Sequence, residues 1–517
     1  FTGCNSGNII GFGTGHKFSK TPIIKGNTFE KNQNSGAASF VLRFNNNVEE
    51  ISFENNTFKE HISKYGGFGG EIHSDLNSIK VTFLNCKFIE NEQNTNGGGF
   101  KTNEQMTKAV LTFTGCTFSD NRANGNGGAI FVDTQQDLTI DSCVFLRNGC
   151  NNGNGGGIYA TINNPITITN CIFDDCSAYD ARCFSISSNG AITFDNNVIQ
   201  NMKPSGESGY IGLINYPNDS EFTLNNVSFI DNKCDSLYGG GAGLKFTNSG
   251  KIIFNDCKFI RNSAVQNTNA QRPVNDGDSP YYNGDGGGIQ YGYSESFYNV
   301  DIEFNGCKFE ENKAFRHGGA IAIQTLKSVV IKSCTFERNT ADSKTSNSEL
   351  LFTNKYNEKS EGRGGAIYLN PTFSHKSQPS GDQNRYMTSV EIVDSTFTSN
   401  SAYDGFAIYI EGEDTQTTFS ILRNNFINNY RSDVLTNGPA IILSEICDSS
   451  FSVDGISSTN TFSNNVDGIF ILKSSCPPLT QSPTESPTES PTESATQSPT
   501  ESATESPTES ATQSPTE

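Results

Sequence analysis

A pattern of apolar, glycine and asparagine residues returns every 25–31 positions over most of this sequence. A chain that repeats at such a period must build its core by stacking one copy on the next. The clearest copy runs from Gly127 to Asn148, GGAIFVDTQQDLTIDSCVFLRN. Its skeleton is Gly-Gly-[Ala/Gly]-Ile, then φ-x-φ-x-x-Cys-x-Phe-x-x-Asn, with φ apolar. The Phe position recurs at Phe29, Phe58, Phe88, Phe118, Phe145, Phe173, Val198, Phe229, Phe259, Phe309, Phe336, Phe397, Phe426 and Phe462. Three residues later stands Asn32, Asn91, Asn121, Asn148, Asn201, Asn232, Asn262, Asn312, Asn339, Asn400, Asn429 or Asn465, with His61 and Cys176 in the remaining copies. The spacing stretches to 50 between Phe259 and Phe309 and to 61 between Phe336 and Phe397. We read the first gap as one coil with a loop inserted near 265–285, and the second as one coil with loops near 343–361 and 372–388.

Within a copy the period is that of a strand. Val81 and Phe83 alternate with polar residues, as do Leu111 and Phe113, Cys86 and Phe88, and Cys116 and Phe118, so each pair shares one strand face. Two polar residues between the pairs suit a bend. Each copy then supplies about three short strands and three turns. The expected fold is all-β: a single-stranded right-handed parallel β-helix of about 14 coils, a rod about 65–70 Å long at the spacing of paired strands. The core ladder is expected at Phe88, Phe118 and Phe145, one above another. Asn91, Asn121 and Asn148 stack beside them, where their amides can bond turn groups that have no strand ladder. Composition agrees with a long, thin core: only 34% of residues are hydrophobic, Trp is absent, and Gly reaches 50. No apolar run reaches the ~18 residues of a membrane-spanning helix, and the net charge of −20 argues against nucleic acid or an anionic membrane as partner.

Gly-Gly-Ala-Ile combined with Phe-x-x-Asn resembles the repeat of chlamydial polymorphic outer membrane proteins and of similar surface proteins of some protists. The resemblance covers most of residues 27–466. It implies a β-helical, surface-exposed, adhesive role. The bacterial members carry a membrane β-barrel after this region, whereas this sequence continues into Ser-Pro-Thr-Glu tetrads, which is more similar to a surface protein of a eukaryotic microbe.

The sequence divides into the helix, 1–478, and a low-complexity tail, 479–517. From Ser482 nine tetrads carry seven Glu and no Lys or Arg. Such a segment buries nothing and favours polyproline II. Its Ser/Thr density reads as an O-glycosylated stalk, at Ser482, Thr484, Ser486, Thr488, Ser490 and Thr492 among others; a plain linker is the alternative. N-glycosylation sequons occur at Asn55, Asn218 and Asn226.

Fourteen cysteines fit an extracellular setting. Eight share the column two residues before the Phe: Cys4, Cys86, Cys116, Cys143, Cys171, Cys257, Cys307 and Cys334. In-register neighbours have parallel Cα–Cβ vectors, which suits buried free thiols better than disulfides. Cys447 with Cys476, and Cys150 with Cys176, lie about one coil apart and are expected to be bridged. No Cys-x-x-Cys occurs, so a zinc site is not expected; the expected cofactor set is empty.

Polysaccharide-cleaving enzymes also use stacked coils. The best acidic cluster is Asp174, Asp175 and Asp180 with Arg182, but Asp174 and Asp175 fall on variable positions of a solvated turn. His317, in Arg-His-Gly-Gly, lacks partner carboxylates in sequence. The outward column Thr28, Thr57, Lys87, Thr117, Val144 and Ile172 is too irregular for an ice-binding array. The expectation is therefore a non-catalytic, extracellular or cell-surface structural or adhesive glycoprotein with no membrane insertion in this sequence. Its partners would be cell-surface ligands or further copies of itself. Phe1-Thr2-Gly3-Cys4 aligns with Phe113–Cys116, so the sequence opens in mid-coil. Either an upstream coil or a second copy, joined head to tail into a filament, would cover that edge. The alternative function is a carbohydrate-binding or polysaccharide-cleaving β-helix.

Overall fold

The computed structural model describes residues 10–11, 21–34, 41–44, 49–63, 71–74, 79–102, 109–133, 137–179, 181–203, 210–216, 220–234, 243–246, 250–264, 285–291, 300–324, 327–342, 362–370, 372–373, 385–411, 417–431, 439–444, 456, 458–465 and 469–472. Its coils belong to a unit spanning Phe1–Cys476; the second unit, Pro477–Glu517, with all the proposed O-glycan positions, lies outside the described residues.

The Phe-bearing strands form one parallel sheet of 14 strands, from Thr28–Glu30 to Thr461–Ser463. Thirteen steps of about 4.8 Å give a stack about 62 Å long. Phe88, Phe118 and Phe145 are directly in register, fully buried, and stacked: Phe88 to Phe118 at 4.7 Å and 4°, Phe118 to Phe145 at 5.0 Å and 3°. Both long gaps close as single coils, because Phe259 pairs with Phe309 and Phe336 with Phe397. Within the second gap, Thr372–Phe373 and Arg385–Tyr386 form a small antiparallel pair.

Most coils hold a longer strand such as Ile79–Leu84, a three-residue strand such as Lys87–Ile89, a two-residue strand such as Glu92–Gln93, and a strand after the Gly-Gly turn such as Phe100–Thr102. The two-residue strand was not anticipated; it is too short to show a period. Two sharp bends flank the Phe strand, and the residue entering each is left-handed. Examples are Asn55 (φ 53°), Asn85 (52°) and Asp120 (57°). Asn, Asp and Gly tolerate this region and crowd before the inward Cys column, as at Asn85, Gly115, Asn170 and Asp256; before the Asn column long charged residues such as Lys31, Glu90, Arg147 and Arg338 adopt it as well. After the Gly-Gly turn the coils approach closely: a Cβ on Gly128 would meet the Gly149 backbone at 2.6 Å.

One coil departs from the expected columns. Phe173 pairs with Ile199, not Val198, and Ile199 with Phe229. The Asn column there is filled by Met202, whose N–H donates to Asn232 Oδ1 at 3.0 Å, while Asn201 is the left-handed, exposed residue before it. A match to Phe-x-x-Asn placed the register one residue early, and in a strand one residue exchanges inside for outside.

Candidate functional site

Three polar columns are built by the coil register. The first is the Asn column. Asn121 donates its backbone N–H to Asn148 Oδ1 at 3.1 Å, and its Nδ2 to Asn148 Oδ1 and Phe88 O, both at 2.9 Å. Asn91 makes the same bonds to Asn121 and Phe58. Each amide thus satisfies a bend N–H and a carbonyl that would otherwise be buried unpaired. His61 sits in this column, fully buried, with its Nδ1 accepting the Asn32 N–H at 3.2 Å. Burial lowers its pKa to about 4.

The second is the thiol column, and it performs the same task. Cys143 Sγ accepts the Cys116 N–H at 3.3 Å and donates to Phe113 O at 3.5 Å. In the neighbouring coils Asn197 replaces the thiol with the same pair of bonds: Oδ1 takes the Cys171 N–H, and Nδ2 gives to Ile168 O, both at 2.9 Å. Cys86, Cys116, Cys143, Cys171, Cys257, Cys307 and Cys334 are all reduced and buried; Cys4 lies outside the described residues.

The expected Cys150–Cys176 bridge is not formed: both thiols are free. Gly149 pairs with Ser177, so Cys176 stacks in the Asn column beside Asn148. Cys150 lies two positions further along, in a separate cluster with Ala123 and Ala178. A spacing of about one coil was not a match of register. Burial pushes both thiols up to about 12, which leaves them unreactive. Cys447 and Cys476 lie outside the described residues.

The third column precedes the Gly-Gly turn. In early coils it is Asn96, Asn126 and Asn154, joined by N–H to Oδ1 bonds of 2.8 Å. In later coils it becomes Asp285, His317, Arg363 and Asp404, in which His317 pairs with Arg363 and Arg363 with Asp404. Arg316 grips Asp285 with two bonds of 3.0 and 2.8 Å. Arg363 Nη1 lies 2.9 Å from both Glu411 oxygens, and Tyr368 Oη donates to Glu411 at 2.6 Å. The His317 ring stacks on Tyr368 at 4.6 Å. Each member stands directly before the first glycine of its turn, Gly286, Gly318, Gly364 or Gly405, which is the signal that aligns them; sequence inspection missed the group because its residue type changes from coil to coil.

The residues weighed for catalysis do not converge. Asp174 faces out and accepts from Gln200 and Asn201; Asp175 pairs with Lys203 at 2.9 Å. Arg182 is fully buried, with Nη1 on Lys233 O at 2.7 Å. Asp180 lies outside the described residues. Among the described residues no group of three or more His, Cys, Asp or Glu is placed to hold a metal. The sequons Asn55 and Asn226 are exposed, left-handed, and in the same bend column; Asn218 lies outside the described residues. A threonine column on the longer-strand sheet also escaped notice: Thr82, Thr112, Thr139, Thr167 and Thr193 are in register. Such cross-strand Thr pairs stabilise a sheet without implying a ligand.

Residues 98–296 match a family model described as a right handed beta helix region. No curated protein matches the chain. Together with the in-register parallel sheets, the match gives the chain a right-handed parallel β-helix fold.

Proposed function

We propose that this chain is an extracellular or cell-surface glycoprotein with a structural or adhesive role, a stiff non-catalytic rod of the kind suggested by its resemblance to polymorphic outer membrane protein repeats. The observation that carries this reading is the 14-strand sheet, unbroken across both long insertions. Every rung adds hydrogen bonds on several sheets and two bends, and every rung but that of Ile199 adds a stacked Phe ring. Bending the rod must break many of these at once. The two described sequons share one bend column, so glycans there would decorate one edge and leave the other faces free for a ligand or a second copy.

The test is made on native protein. Peptide mapping should find glycans on Asn55 and Asn226, surface labelling of intact cells should reach the rod, and images at low and high concentration should show rods or head-to-tail filaments. Bare asparagines in material confined inside the cell would refute the glycoprotein reading. Release of reducing ends from a polysaccharide would replace it with the carbohydrate-cleaving alternative.

A further inference from the structure

Along the third column the ladder keeps its backbone bond while its side chains become ionisable. Asn126 N–H donates to Asn96 Oδ1 in the early coils, and His317 N–H donates to Asp285 Oδ1 at 3.1 Å in the later ones. His317 is only 7% exposed, and its Nδ1 is buried with no hydrogen-bond partner among the described residues.

Among the described residues, the groups around the imidazole offer it no uncommitted counter-ion. Arg316, beside it in sequence, is committed to Asp285 on the preceding coil. Arg363, directly above it, is committed to Glu411 and lies over the Tyr409 ring at 5.0 Å. Tyr368 covers one ring face and donates a hydrogen bond to the same Glu411. Asp404 lies a further rung away, beyond Arg363. A proton on His317 would therefore place a third cation beside two guanidiniums whose carboxylates are already shared. Burial, with Arg316 and Arg363 adding to it, holds the imidazole well below its usual range.

We propose that His317 makes this corner acid-sensitive: its protonation opens the Gly-Gly bends at Gly318–Ala320 and Gly364–Ala366 while the stacked Phe core stays closed. The device goes beyond the rod reading and is independent of it. Opening lets the imidazolium reach water, and closing again requires the proton to leave. In an open bend the imidazole regains its ordinary value of 6.5, so acidification to pH 5 favours opening by up to about 30-fold over neutral pH.

Hydrogen exchange read by mass spectrometry on the whole chain, corrected for intrinsic rates, tests this at pH 8 and pH 5. The amides of Gly318, Gly319, Ala320 and Ala366 should lose up to about 30-fold in protection at pH 5. Those of Thr117–Asn121 should not change. His317→Asn restores the residue type that the early coils use in this column, and it should abolish the acid effect. Equal protection at the two pH values in the wild type, or the same acid loss in His317→Asn, would overturn the proposal. Should the variant fail to fold, C2–H exchange of histidines in the wild type decides. Titration of His317 near 6.5 with every bend still protected refutes the device, and titration coupled to loss of protection at Gly318–Ala320 supports it.

Discussion

His61 gives the sharpest prediction, because the Asn column forbids its protonation. Its ring replaces an asparagine amide, and Nδ1 must keep a lone pair to accept the Asn32 N–H at 3.2 Å. Burial lowers its pKa from 6.5 to about 4. Between these values the unfolded coil binds more protons than the folded one, so stability rises with pH across the window and is lost as pH falls through it. Linkage puts the loss at about 2 kcal/mol at pH 5 and about 3 kcal/mol at pH 4, relative to pH 8. His61→Asn restores the column's usual residue and removes the titration. The assay is native-state hydrogen exchange at the Asn32 and His61 amides, whose acceptors are His61 Nδ1 and Asn91 Oδ1, for both proteins at pH 8 and pH 5. Wild type should lose about 2 kcal/mol of local stability that the variant keeps. An identical pH response in the two proteins would refute the reasoning.

Phe118→Ala opens a cavity in a stack closed on both sides and should cost about 3–5 kcal/mol in denaturant melts. Asn121→Ala strands the Phe88 carbonyl and the Asn91 N–H and should cost about 1–3 kcal/mol; a neutral result for both would mean that the columns do not bear the fold. Cys143→Val removes the partner of the Cys116 N–H and of Phe113 O and should cost about 1–3 kcal/mol. Cys143→Asn, the residue that neighbouring coils use for the same bonds, should be tolerated, and the order of the two variants in a melt checks the equivalence. Thiol counting on unfolded native protein should find Cys150 and Cys176 reduced; a bridge between them would overturn the register derived from Gly149 and Ser177.

Periodicity made the Phe and Asn columns readable, because an inward residue must recur once per coil wherever stacking supplies the only core. Strand alternation marked Val81, Phe83 and Phe88 as inward, and they are buried. Where a coil lost its Phe the reading slipped: with Asn196, Asn197 and Asn201 all present, a motif match cannot tell the inward Asn197 from the left-handed Asn196 and Asn201. Cys150 and Cys176 failed for a related reason, since a separation close to one coil gives no face. What sequence by itself determined, then, was the repeat, its strand period and the identity of most core residues, all of which are local or strictly periodic. Only the tertiary structure decided that the Cys column is a hydrogen-bonding ladder equivalent to asparagine, which depends on sulfur meeting carbonyls one coil away. It alone decided, too, that Arg316 grips Asp285, that Arg363 and Tyr368 share Glu411, and that His317 stacks on Tyr368. The glycines Gly286, Gly318, Gly364 and Gly405 mark that column in the sequence, but which of its charges and rings meet is set by side-chain packing between coils rather than by distance along the chain.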